Sequence, residues 1–167
     1  MSSAGSRVVR TAINNDGTSV IQSDQVLSPF FPFGPGGSSF VAFDARATVP
    51  VTNREQPQDL GHSLPRCPSD GVNFSVVTFA PQSGAPMHRT LSLDYAIILS
   101  GEIVLELDGG EERTVKEGEF IVQGGVSHAW HNRTDKPCRI AFVMVGAQKV
   151  KLGDGRELDD IKPAPPG

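Results

Sequence analysis

The chain has 167 residues, 38% hydrophobic and 20% charged, with a formal net charge of -4. That length sets one domain with enough apolar content to close a single core. The acidic balance and the lack of any Lys/Arg cluster exclude a nucleic-acid or anionic-membrane surface, because phosphate neutralisation needs several basic side chains together, and leave a small molecule as the expected partner.

The opening stretch, MSSAGSRVVR, has no apolar signal core, and nowhere does an uncharged apolar run reach bilayer length, so a cytoplasmic location is expected. Arg7 to Ile13, then Asn-Asn-Asp-Gly, then Thr18 to Gln22 reads as an N-terminal hairpin, since Asp-Gly supplies the positive φ of a tight turn. SPFFPFGPGGSSF is too rich in Pro and Gly for regular structure, and its Phe30, Phe31 and Phe33 read as loop packing or a subunit contact. Phe40 to Ala45 suits a strand. Pro50 to Asp70, with four prolines and no periodicity, reads as an extended loop crossing the body, carrying a solvent-exposed His62.

From Val72 onward NFSVVTF, YAIILS, EIVLEL, RTVKEG, EFIVQ, SHAWHN and CRIAFVMV make seven strand-like segments, punctuated by Gly101, Gly109, Gly110, Gly118, Gly124 and Gly125. Helical periodicity is almost absent, so the fold class is all-β. The predicted organisation is an N-terminal hairpin and Pro/Gly-rich arm over 1–71, a barrel over 72–148 and a short irregular tail over 149–167, in which LDDI has room for one helical turn. Cys67 and Cys138 lie far apart, outside any C-x-x-C spacing, and read as reduced thiols, Cys138 as a small core residue. The sequons at Asn73 and Asn132 read as chance.

Residues two apart on a strand share a face, so His88 and Thr90 point one way and Asp94 joins them if the parity holds through Ser92. One wall would then carry imidazole, hydroxyl and carboxylate. Later, His128 and Trp130 share a face while His131 points away to solvent. Histidine titrates nearest neutral pH and is the commonest metal ligand, so two of them with a carboxylate form either a ligand set or an acid–base set; spacing alone does not separate the two. Trp130 beside His128 suits either core packing or stacking on a planar ligand.

Two segments resemble the motifs of the cupin superfamily, whose members share an RmlC-like jelly roll. Its first motif, G then H-x-H, three or four residues, E, six residues and G, is matched by His88, by Thr90 at the second His, by Asp94 at the Glu and by Gly101. Its second, G-x5-P-x-G-x2-H-x3-N, is matched by Gly118, Gly124 in place of Pro, Gly125, His128 and Asn132. The likeness runs from about Phe79 to Val145 and implies a single-domain β-barrel. HRTxSLDY before an apolar strand is similar to small stand-alone cupins of fungal and bacterial metabolism, often beside polyketide-type pathways. Members with all four ligands hold iron, manganese, nickel or zinc.

Thr90 ligates a transition ion poorly, because a neutral hydroxyl competes weakly with water, so the resemblance leaves His88, Asp94 and His128 as the metal set if a metal binds. The favoured expectation has no cofactor: catalytic His88, Asp94 and His128, with Thr90 and Trp130 binding substrate, in an acid–base dehydratase, decarboxylase, isomerase or cyclase acting on an oxygenated, polyketide-like molecule. The alternatives are an iron-dependent dioxygenase and a non-catalytic ligand-binding cupin. A homodimer is expected, because a short jelly roll leaves sheet edges to cover and the apolar N-terminal segment is free to pack across a partner.

Overall fold

The computed structural model describes residues 5–53, 57, 64 and 66–162, and His62 lies outside them. The N-terminal hairpin forms as read: β1 (Ser6–Ile13) and β2 (Ser19–Leu27) pair antiparallel in a sheet of their own. The irregular segment after it makes one bridge, Phe30 to Phe40.

The body is two antiparallel sheets. One has five strands, β3 (Ser39–Arg46), β4 (Val72–Phe79), β11 (Cys138–Gly146), β6 (Ser92–Ser100) and β9 (Phe120–Gly124), in the spatial order β3-β4-β11-β6-β9. The other has four, β5 (Ser83–His88), β10 (His128–Asn132), β7 (Glu102–Leu107) and β8 (Glu112–Lys116), in the order β5-β10-β7-β8. No helix occurs among the described residues, and none is long and apolar enough to cross a membrane. The all-β class read from the alternating segments, and the jelly roll that the resemblance implies, are the observed architecture.

The alternation works as strand geometry requires. Along β6, Ser92, Asp94, Ala96 and Ile98 are buried while Tyr95, Ile97 and Leu99 face out. The inner faces meet in a core built on Phe79, Ile98, Ile103, Trp130, Ile140 and Phe142, joined by Cys138, whose thiol burial pushes up to about 11. Cys138 is thus the core residue the sequence suggested. Gly84 lets β5 approach β10, since a Cβ there would sit 1.9 Å from the Trp130 carbonyl oxygen.

Two readings need correction. The strand carrying His88 runs back to Ser83 and ends before Thr90, an extent that Gly84 and Pro86 mask in the sequence. The tail from Lys149 is more ordered than expected: β12 (Val150–Lys151) and β13 (Glu157–Leu158) form a small hairpin around Asp154-Gly155. Leu158–Ile161 makes no helical turn, because Leu158 is in that hairpin and Ile161 pairs through its backbone with Arg89.

Candidate functional site

His88 and Asp94 do not lie on one strand. β5 ends at His88 and β6 begins at Ser92, and the intervening residues carry the chain from the four-stranded sheet to the five-stranded one. The residue parity assumed from the sequence therefore fails at this crossover. His88 faces His128 instead, as its direct cross-strand partner on β10, with ring centroids 4.2 Å apart. Asp94 has its own cross-strand partner, Gln123 on β9. The site is two such pairs, one from each sheet.

Local structure aims each imidazole. Between the His88–His128 and Ala85–Trp130 pairs β5 carries one extra residue, a bulge at Pro86-Met87, where Pro86 has no N–H to give the ladder. That bulge brings the Pro86 carbonyl to 2.8 Å from His88 Nδ1. Likewise the Gly125 turn, at φ 60, sets the Val126 carbonyl 3.1 Å from His128 Nδ1. Each ring donates its Nδ1–H to a carbonyl, which leaves Nε2 as the lone-pair nitrogen.

The lone pair of His128 is met by Gln123, whose Nε2 lies 3.2 Å away and also 3.4 Å from Asp94 Oδ2. One amide group thus donates to both the imidazole and the carboxylate. His88 Nε2 has no hydrogen-bond partner among the described residues. Ser92 donates to Thr90 Oγ1 at 3.0 Å, so Thr90 keeps its own O–H to donate elsewhere. Asp94 Oδ1, Gln123 Oε1 and Ser127 Oγ are buried without a protein partner.

Burial sets the electrostatics. It holds His128 neutral, its pKa lowered to about 4, with His88 adding to the effect. It also lowers His88, against the Pro86 hydrogen bond, and Arg66 pushes the same way. Asp94, only 3% exposed, is raised by burial, with the Ser92 and Gln123 hydrogen bonds opposing.

Trp130 does share the His128 face, with the rings edge-on at 5.5 Å, but it is 3% exposed and packs on Phe79 and Phe142. Its contact with the site is the edge contact with the His128 ring. His131 points the other way, as alternation requires, and bonds Glu106 at 2.6 Å.

The residue missed from the sequence is Gln123. Counted back from His128 through Gly125, it holds the usual proline position of the second motif, which was assigned to Gly124. Glutamine in place of an apolar ring on an inward-facing position was the available signal.

The residues do not fit a three- or four-ligand metal centre as they stand. Among the described residues no group of three or more His, Cys, Asp and Glu side chains is gathered to hold an ion. Gln123 sits between Asp94 and His128, taking one carboxylate oxygen and the His128 lone pair.

Comparison with known proteins places this geometry. The family model described as "Cupin domain" matches residues 75–155. The "Phomopsin biosynthesis cluster protein C'" of Diaporthe leptostromiformis is 39% identical over 62% of this chain and 57% of its own length. The "Cupin-domain-containing oxidoreductase virC" of Hypocrea virens is 39% identical over 51% of this chain and 45% of its own. The "Cupin-domain-containing oxidoreductase srdD" of Neurospora crassa is 27% identical over 89% and 79%. The chain thus spans about half the length of most curated relatives it matches. Among solved structures, the Cnp3 cupin domain of Schizosaccharomyces pombe superposes with a TM-score of 0.51 at 12% identity, over 84% of this chain and 87% of that one. The polyketide cyclase RemF of Streptomyces resistomycificus does so with 0.50 at 16%, over 80% and 78%. At such identities these two show the fold alone.

Proposed function

We propose that this chain, whose residues 75–155 match the cupin domain family, is an enzyme of secondary metabolism that moves protons on a small oxygenated, polyketide-like substrate. The observation that carries the reading is His88 Nε2, an unpartnered lone pair fixed by the Nδ1 bond to Pro86 and kept unprotonated at neutral pH by burial. Such a nitrogen takes a proton from carbon beside a carbonyl, the step shared by dehydration, isomerisation and aldol-type cyclisation; in decarboxylation the C–C bond breaks instead, and the protonated imidazole would deliver a proton to the enolate carbon. Thr90 donates its O–H to the substrate oxygen on which charge develops. The protonated His88 then returns that proton to the product carbon or to the departing oxygen, and Asp94, whose pKa burial raises, is held beside the site by Gln123. The membership of relatives in biosynthesis clusters, as their names state, supports a secondary metabolite as substrate.

The competing reading is oxidation with iron on His88, Asp94 and His128. The oxidoreductase names of the virC and srdD proteins favour it, and the position of Gln123 between Asp94 and His128 opposes it.

The test is deuterium exchange. Polyketide-type β-carbonyl compounds incubated with the protein in D2O should exchange the acidic C–H in a reaction that survives exhaustive chelation and disappears in His88→Ala. Turnover abolished by chelator and restored by added iron or zinc would replace this reading with the metal-dependent one.

A further inference from the structure

Asp94 and Gln123 belong to a longer row. On the five-stranded sheet, direct cross-strand pairs run from Gln123 to Asp94, from Asp94 to Met144, from Met144 to Asn73 and from Asn73 to Ala45. Directly opposite residues of an antiparallel ladder point to the same face, so all five side chains share the inner face, and all five are buried. Asn73 is 0% exposed, and neither its Oδ1 nor its Nδ2 has a hydrogen-bond partner among the described residues. An amide enclosed in this way costs stability that an apolar side chain of the same shape does not. Packing alone gives no reason for it. Asp94 Oδ1 and Gln123 Oε1, in the same row, are also buried without a partner. Three side chains of one row thus hold polar atoms that their protein surroundings do not meet.

We propose that Asn73 is a substrate-binding residue whose amide receives a hydroxyl at the end of the substrate remote from His88. The assignment rests on the proton-transfer reading of the site and extends it to a substrate class. Neighbouring strands lie about 4.8 Å apart, so Asn73, two strands from Asp94, stands about 10 Å from it along the sheet. That span suits two fused rings better than one. The row carries no cation and has a carboxyl group within it, so the far end of the substrate is neutral. A phenol or enol hydroxyl meets the need, because it donates to Oδ1 or accepts from Nδ2. Met144, 9% exposed, stands between Asp94 and Asn73. Its unbranched thioether side chain turns about three bonds and can swing aside for a flat ring, so the amide is reached as the substrate enters.

The probes are 2-acetylnaphthalene and 6-acetyl-2-naphthol, two-ring methyl ketones that differ only in the far hydroxyl. By titration calorimetry the wild-type chain should bind the naphthol at least about tenfold more tightly, since a site with buried groups waiting for a hydroxyl rejects the analogue that lacks it. Asn73→Leu, which matches the side chain atom for atom, should bind the two compounds within about twofold of each other and melt no lower than wild type, because it removes two unmet groups and no bond. Four results would overturn the assignment: equal wild-type affinities, failure of both compounds to bind, a preference that survives in Asn73→Leu, or a melting temperature that falls in both Asn73→Leu and the smaller Asn73→Val, the mark of an amide held for the fold. The wild-type comparison needs no variant. A naphthol that binds in this Asn73-dependent way yet exchanges no methyl C–H in D2O would remove the proton-transfer reading and leave Asn73 as a binding residue. Exchange of both ketones, abolished by His88→Ala, with equal affinities would do the reverse.

Discussion

Gln123 spans the gap between the two sheets, its amide nitrogen 3.2 Å from His128 Nε2 and 3.4 Å from Asp94 Oδ2. A neutral imidazole and a buried carboxyl are held by one donor group, and the first prediction tests it. Gln123→Met keeps the volume and removes both bonds, leaving two buried acceptors unsatisfied, so stability should fall by about 1–3 kcal/mol. His128, no longer receiving a bond on its lone pair, should titrate above its present value of about 4. An NMR titration of the imidazole that does not move would remove this role from Gln123.

His88 should govern the acid limb of any activity profile. Its pKa lies below 6.5, so the lone pair is free at neutral pH and is lost only as the pH falls below that value. Rate should therefore be flat across neutrality and decline at a midpoint below 6.5, and His88→Ala should cost on the order of 10²–10⁴-fold in kcat. A midpoint above neutrality would exclude His88 as the base.

The buried neutral state of His128 has a consequence for stability. The unfolded chain binds a proton near 6.5 and the folded chain only near 4, so stability is full above 6.5 and is lost as the pH falls between those values. The loss approaches about 3 kcal/mol at its limit. Melting temperatures of wild type and His128→Gln, compared at pH 7 and pH 5, should show the steeper decline in wild type.

Thr90→Val removes the hydroxyl that accepts from Ser92 and retains an O–H for substrate. Turnover should fall far more than stability. Thr90→His should also impair turnover, through bulk, and a gain of metal-dependent activity in that variant would favour the ligand-set reading instead.

His131→Ala should leave turnover within about twofold and cost less than about 1 kcal/mol, since its bond to Glu106 is half-exposed. His128→Ala should abolish activity. A damaging His131→Ala with a harmless His128→Ala would mean that β10 runs one residue out of the register described.

The strands of the body were legible because their inner positions alternate over short spans between glycines, a pattern no helix produces. His128 was legible for the same reason, through its parity with Trp130. The relation of His88 to Asp94 was not, because parity carries information only while a strand continues, and three residues of crossover erase it. The extent of β5 is not legible, since Gly84 and Pro86 serve a close approach and a bulge, which are tertiary needs. Gln123 is not legible because the neighbouring Gly124 also fits the motif's proline position when counted forward from Gly118.

The crossover between His88 and Ser92 also bears on how such a protein diversifies. Because each sheet contributes its own facing pair, a substitution at position 94 or 123 alters one half of the chemistry while the other half keeps its register and its backbone partners. The backbone register of each half is thus independent, while the Gln123–His128 bond keeps the two halves chemically coupled. A barrel built this way can exchange a carboxylate for an amide, or a proton donor for a ligand, without rebuilding the strands that carry it.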